Sequence, residues 1–374
     1  MERVNKLTKV LLGMCMAMMI VAAMPGASLA DEAYVKMAKD YIKKATAPGA
    51  AWDGPTSGPK AAAGKSVVYV SADQRNGGAL GVGQGAEEAA KAIGWKFRVI
   101  DGQGTVSGRT SALNQAIATK PDGIILGTVD AKEQAAAIEA AAKNGIKIVG
   151  WHSAAEAGPV KGTPVFSNVT TDPLEVAKAA AYYAVADSNG TAGVIIFTDS
   201  VYAVAIAKSD AMAAVIKKCS GCTMINIEDT PLSDTAARMP QLVTSLLQRH
   251  GKKWTYSMGV NDLYYDFAAP SFQGAGIAGN GFPRNISAGD GSGSAFQRIR
   301  KNSYQVGTVA EPLNLHGWQT IDEMNRAFAG QKDSGYVAPV HLFTPANIEH
   351  DGGAKNTYDP DNGYRNQYKK IWGK

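Results

Sequence analysis

The chain has 374 residues, 45% of them hydrophobic and 19% charged, with a formal net charge of +5. Its length suits two domains of ordinary size. The basic residues are scattered without a stripe or arm, so the positive balance points to no nucleic-acid partner.

Residues 1–30 read as a cleaved secretion signal. Arg3, Lys6 and Lys9 make a positive start, residues 10–24 an uncharged apolar core, and Ser28-Leu29-Ala30 a small-residue cleavage site. The core is shorter than the roughly 20 residues a spanning helix needs. Cys15 follows Met14 rather than a small residue, which argues against lipidation. An exported, periplasmic protein is expected, and no later stretch is long or apolar enough to cross a membrane.

A charged helix is expected over 31–46. The glycines and prolines between Pro48 and Pro59 then read as a linker. From residue 65 onward short apolar runs alternate with helical patterns. Strands are expected at 66–70, 97–100, 123–126, 146–149 and 165–166. The helices between them carry Ala86, Ala89 and Ile93, then Leu113 and Ile117, then an Asp130-to-Glu133 opening closed by Asn144-Gly145. Asp172-Pro173-Leu174-Glu175 starts a further helix, with Pro at the first helical position.

The pattern repeats with strands at 194–197, 224–227, 256–260, 286–288 and 305–309. Helices are expected over 201–218, over 241–250 with Pro240 at its start, and over 312–329. A last short strand falls at 340–343. Continuously apolar strands separated by helices indicate parallel sheets covered on both faces. The expected architecture is α/β: two doubly wound parallel-sheet lobes joined by three hinge crossings, with a ligand cleft between them. The first lobe takes 65–169 plus 312–339 and the second 170–311 plus 340–374, with the tail from Glu349 packing along the second lobe.

Several motifs lack the context their chemistry needs. Gly274-Ala275-Gly276-Ile277-Ala278-Gly279 spells a dinucleotide fingerprint but has no strand before it, so it reads as a surface loop. Gly81, Gly83 and Gly85 stand too far beyond a strand to cradle a pyrophosphate. Cys219 and Cys222 lie where a helix passes into a strand, opposite to a redox dithiol, so a structural disulfide is expected in an oxidising compartment. The five histidines show no metal-binding spacing, no nucleophile elbow occurs, and residues 359–363 do not supply a calcium loop. No catalytic residues, cofactor or metal are therefore assigned.

Five polar clusters each follow a strand: residues 71–76, Trp151-His152, Asn261-Asp262, Gly289-Asp290-Gly291 and Ala310-Glu311-Pro312. In this order the chain resembles the type I periplasmic solute-binding proteins of ABC importers, in their ribose-binding-like, sugar-binding branch, over roughly residues 65–348. The resemblance implies a monomer that binds a small polar solute, a sugar or polyol, and hands it to the transmembrane subunits of a permease. A sensor feeding a receptor kinase or chemoreceptor is the alternative, and an exported Rossmann-like enzyme the remoter one.

Independently of the family, open parallel sheets bind ligands beyond the carboxyl ends of their strands. Carried over, the ligand-binding set is Asp73, Asn76, Trp151, His152, Tyr202, Lys208, Asn261, Asp290 and Glu311, with Tyr202 and Lys208 competing for one position. Asn168, Thr171, Asp172 and Pro312 are the expected hinge. Two departures stand out: Gly77-Gly78-Ala79 replaces an aromatic pair, and His152-Ser153 replaces an Asp-Arg pair. Trp151 is expected to supply the missing aromatic platform, and a solute other than ribose follows.

Overall fold

Leu29–Ala45 forms helix α1, whose Ala38 and Ala45 are buried against the second lobe. The computed structural model describes residues 29–49 and 51–374. All but the last two residues of the expected secretion signal lie outside the described residues. Among the described residues no helix is long and apolar enough to cross a membrane.

The first lobe runs β1 (Ser66–Ser71), α2 (Gly77–Ile93), β2 (Lys96–Asp101), α3 (Val106–Ala118), β3 (Gly123–Gly127), α4 (Ala135–Lys143), β4 (Lys147–Trp151) and β5 (Val165–Val169). Its five strands are all parallel, in the order β2-β1-β3-β4-β5. The second lobe runs α5 (Pro173–Asp187), β6 (Gly193–Thr198), α6 (Ala203–Lys218), β7 (Thr223–Asp229), α7 (Thr235–His250), β8 (Tyr256–Gly259), α8 (Leu263–Gly274), β9 (Arg284–Ser287), α9 (Gly293–Arg300) and β10 (Gly307–Ala310). The chain then returns to the first lobe as α10 (Leu313–Phe328), to the second as β11 (His341–Phe343), and ends in α11 (Tyr364–Trp372). The second sheet has the order β11-β10-β9-β8-β6-β7, parallel except for the antiparallel pairing of β11 with β10. The central strands are buried on both faces, which is why β1, β3 and β6 are mostly apolar, while the edge strands β2 and β7 are largely exposed and mix in charged residues.

Each sheet reverses its strand order at one place, between β1 and β3 in the first lobe and between β6 and β8 in the second. Such reversals open a crevice at the carboxyl ends of the strands. The two crevices face each other, which fixes where the site lies.

Some expectations need correction. Helix α7 begins at Thr235, so Pro240 lies inside it rather than at its start. Residues 263–274 form an unexpected helix with Pro270 within it; the glycine-rich hexamer takes its first residue from the end of α8 and is otherwise the surface loop expected. Gly85 is a packing residue: a Cβ there would stand 2.6 Å from the carbonyl oxygen of Asn314, and one at Gly317 would stand 2.3 Å from the amide of Ala86. These glycines let α2 and α10 approach backbone to backbone. Cys219 and Cys222 are joined as a disulfide.

The tail also departs from expectation. Tyr364, Tyr368, Ile371 and Trp372 of α11 belong to the core of the first lobe, not the second. Trp372 stacks on Trp318 with centroids 5.4 Å apart, and its Nε1 donates to Asp322 at 2.8 Å. Arg326 and Asn325, on the same face of α10, donate to carbonyls of Ser57, Pro59 and Lys60 in the linker. The polar face of α10 is therefore covered by the two chain ends, and those ends add two passages between lobes to the three crossings.

Candidate functional site in the interlobe cleft

The strand tips around the first crevice make an uncommon turn. Thr128, directly after β3, has φ +60°, and His152, directly after β4, has φ +51°. Left-handed backbone is uncommon in residues other than glycine and more so in a β-branched one, and such conformations cluster at functional sites. At His152 the turn has a visible consequence. Successive strand residues point to opposite faces, yet here the imidazole folds back flat on the indole of Trp151, 4.0 Å between centroids and 11° between planes.

Trp151 is fully buried beneath that imidazole, and its Nε1 donates to Nδ1 of His316 at 3.1 Å. It is therefore not the exposed platform expected from the sequence. It supports His152 from behind.

Glu311, after β10 at the second crossing, is fully buried at the centre of a charge cluster. Its Oε1 lies 2.8 Å from His152 Nε2 and 3.6 Å from Lys208 Nζ. Its Oε2 accepts from the Thr171 amide at 3.2 Å, which ties the first crossing to the second. Burial alone would raise the Glu311 pKa, but His152 and Lys208 outweigh it and hold the carboxyl well below the usual range. His316 lies behind, its Nδ1 3.5 Å from Glu311 Oε2 and occupied by the Trp151 donor. Burial lowers its pKa to about 4 against the pull of Glu311, so it stands as a neutral ring at ordinary pH.

Asp290, after β9, reaches towards the first lobe. Its Oδ2 accepts from Asn261 Nδ2 at 2.6 Å, and its Oδ1 lies 3.9 Å from His152 Nδ1. Burial raises its pKa despite the nearby His152 and Lys208. The turn that carries it is held by Asp262, whose Oδ2 accepts from the amides of Gly291 at 2.8 Å and Ser292 at 3.0 Å. Gly77 and Gly78 explain the missing aromatic pair. A Cβ at Gly78 would stand 2.3 Å from Asp290 Oδ2, and one at Gly77 would stand 2.6 Å from Ser292 Cβ. The glycines let the second lobe press directly on the start of α2.

The other expected residues divide. Asn76 caps α2, its Oδ1 accepting from Gly78 N at 2.9 Å, while its residue lines the cleft. Asp73 is held in a two-pronged pair with Arg75. Tyr202 and Lys208 do not compete for one place: Tyr202 precedes α6 and Lys208 lies within it, and both line the cleft. Asn168 is no crossing residue. It accepts from Ser153 N at 2.8 Å and donates to the carbonyls of Ala154 and Glu156, clamping a loop within the first lobe. Asp172 caps α5, and Pro312 precedes α10.

Two contributors carry no local signal in the sequence, His316 and Arg109. Thr128 follows a strand end but is not among the expected residues, and Asp262 is marked with Asn261 but not as the support of the Asp290 turn. Arg109, on α3, is buried and pairs with Glu133, and its Nη1 donates to Gly104 O at 3.0 Å and to the Tyr202 hydroxyl at 3.1 Å. That last bond joins the lobes across the cleft mouth. Among the described residues, His152, Asp290 and Glu311 are the one group whose ligating atoms could gather on a cation, all within 4.8 Å of one another. Lys208 already supplies a positive charge at that point.

The periplasmic binding protein domain family matches residues 67–332. The chain belongs to that family. Its members act as extracytoplasmic binding proteins rather than enzymes. Three solved structures share the fold. A sugar ABC transporter protein from Yersinia enterocolitica is 18% identical with TM-score 0.69, covering 83% of this chain and 95% of that one. An ABC transporter solute-binding protein from Agrobacterium vitis with bound allitol is 19% identical with TM-score 0.63, covering 76% and 97%. The periplasmic component of an arabinose ABC transporter from Shewanella sp. ANA-3, bound to L-arabinofuranose, is 16% identical with TM-score 0.64, covering 82% and 95%. No curated protein sequence matches the chain.

Proposed function

We propose that this periplasmic binding protein captures a small polyhydroxylated solute, a sugar or sugar alcohol, between its lobes and delivers it to the transmembrane subunits of an ABC importer. One observation carries the reading: Asn76, His152, Lys208, Asn261 and Asp290 converge from both lobes on one buried cleft, with Glu311 held ionised behind them. Hydroxyl groups both donate and accept, so such a mixed set can pair with several at once. Leaving one buried partner unpaired costs about 1–3 kcal/mol, which lets the cleft distinguish stereoisomers.

The solved relatives support the same class, since their bound molecules are allitol and arabinofuranose. In this reading the protein is a periplasmic carrier without catalysis, exported by the signal of residues 1–30. The ligand-contacting residues are Asn76, His152, Tyr202, Lys208, Asn261 and Asp290. Glu311 orients His152 and Lys208 at the crossing. A thermal-shift screen of pentoses, hexoses and alditols tests it. At least one should raise the melting temperature by several degrees, and silence from all of them would remove the substrate class.

A further inference from the structure

We infer that the cleft takes a neutral, open-chain polyol rather than a sugar ring, and that Thr128 is a specificity-determining residue for it. This rests on the polyol reading above and narrows it.

The shape of the closed cleft comes first. Two small voids of about 10 Å³ and 20 Å³ lie in it, each with room for about one water. Asn76, Thr128, Tyr202 and Leu232 border both voids. The voids are therefore successive segments of one narrow passage, running from Asp73 and Gly104 to His152 and Asp290. Any solute must part the lobes to enter. A flexible chain asks for far less parting than a rigid ring lying across the passage.

Stacking is the second point. A sugar ring is ordinarily held by an aromatic face. Trp151 presents its face to His152, not to the passage. The start of α2 carries glycines, and their open sides are filled by Asp290 and Ser292. Tyr202 is the single six-membered aromatic bordering the voids, and its hydroxyl is tied to Arg109.

Charge decides between a polyol and its acid. Lys208 and His152 stand between the carboxylates of Glu311 and Asp290. An acid would set a third carboxylate beside those two in a buried place, whereas a neutral polyol adds no charge. Thr128 supplies a further polar contact. It is left-handed, more than nine-tenths buried, borders both voids, and its Oγ1 has no partner. A buried hydroxyl without a partner is costly unless a ligand completes it.

Titration calorimetry can separate the claims, using glycerol, erythritol, ribitol and xylitol against methyl glucopyranoside, methyl galactopyranoside and methyl ribofuranoside, whose rings cannot open. The expected result is that the best linear polyol binds at least about tenfold more tightly than any glycoside. A smaller margin, or a tighter glycoside, overturns the open-chain assignment and leaves the polyol reading standing. Silence from every compound, with pentoses and hexoses silent too, overturns both. With the best linear polyol, Thr128→Val should weaken binding about tenfold, whereas Thr128→Ser, which keeps the hydroxyl, should retain it. Unchanged binding by a Thr128→Val protein whose unliganded melting temperature matches the wild type overturns the role of Thr128. Should the valine variant not fold, loss of binding in a folded Thr128→Ser overturns it equally.

Discussion

Nε2 of His152, at the tip of a first-lobe strand, stands 2.8 Å from Oε1 of Glu311, on the crossing that leaves the second lobe, and both side chains are buried. The contact couples the cleft wall to the hinge. Removing one partner of a buried pair leaves the other uncompensated, at a cost of about 3–5 kcal/mol. His152→Ala leaves Glu311 with Lys208 still 3.6 Å away, so it should destabilise the protein by less than that in urea denaturation. Glu311→Gln alone strands buried Lys208 as well as His152, and combined with His152→Ala it should cost less than the sum of the two single losses. Additive losses in the double variant would mean that the two residues do not interact.

Acid should act through His316. Its pKa is lowered in the fold to about 4, from an ordinary value near 6.5. Below pH 6.5 the unfolded chain takes up a proton that the native ring refuses, so stability falls as pH drops towards 4, by roughly 3 kcal/mol in all. Buried Glu323 works in the opposite sense. Its pKa is raised to about 7, chiefly by burial, so its contribution falls as pH rises through the same window. The difference between wild type and His316→Gln isolates the histidine. The variant should gain relative to the wild type as pH falls from 6.5 to 4, and a constant difference would refute the neutral buried ring.

Gly78 sets how far the lobes can close. A methyl group there would overlap Asp290, with the nearest carboxylate oxygen 2.3 Å away. Gly78→Ala should hold the lobes apart, increase the radius of gyration seen by small-angle scattering under saturating polyol, and weaken binding by at least about tenfold. Its melting temperature without ligand should change little, because the clash lies between lobes rather than within one.

The C-terminal helix should matter for stability and not for recognition. Trp372 is buried against Trp318 and donates to Asp322. Trp372→Ala should cost about 3–5 kcal/mol in urea unfolding. Polyol affinity measured well below the unfolding midpoint should stay within about threefold of the wild type, since the residue lies away from the cleft.

The alternation of strands and helices was legible because the central strands, such as β1, β3 and β6, are mostly apolar runs and the helices between them keep an apolar face. Those patterns are dictated by burial, and the switch points follow from strand order. Pro240 reads as the start of a helix though α7 begins before it, and α8, which the sequence did not announce, runs through Pro270. Asp290, Asn261 and Glu311 could be singled out because each follows a strand end. The direction in which Trp151 faces could not, because it depends on a left-handed turn at His152 that no local residue preference announces. Thr128 follows a strand end in the same way and could have been named with Asp290, Asn261 and Glu311, whereas Arg109 and His316 lie within helices and are brought to the cleft by packing between distant segments. The tail's aromatic residues, Tyr364, Tyr368 and Trp372, show that it packs but not against which lobe.

Titration calorimetry of the wild type beside Asp290→Ala, with the sugar or alditol that gives the largest thermal shift, bears most directly on a solute cleft built around Asp290. The wild type should bind saturably with one site. The variant, folded and with an unliganded melting temperature close to the wild type, should bind about tenfold to a hundredfold more weakly. Equal affinity in the two proteins would contradict the cleft as described.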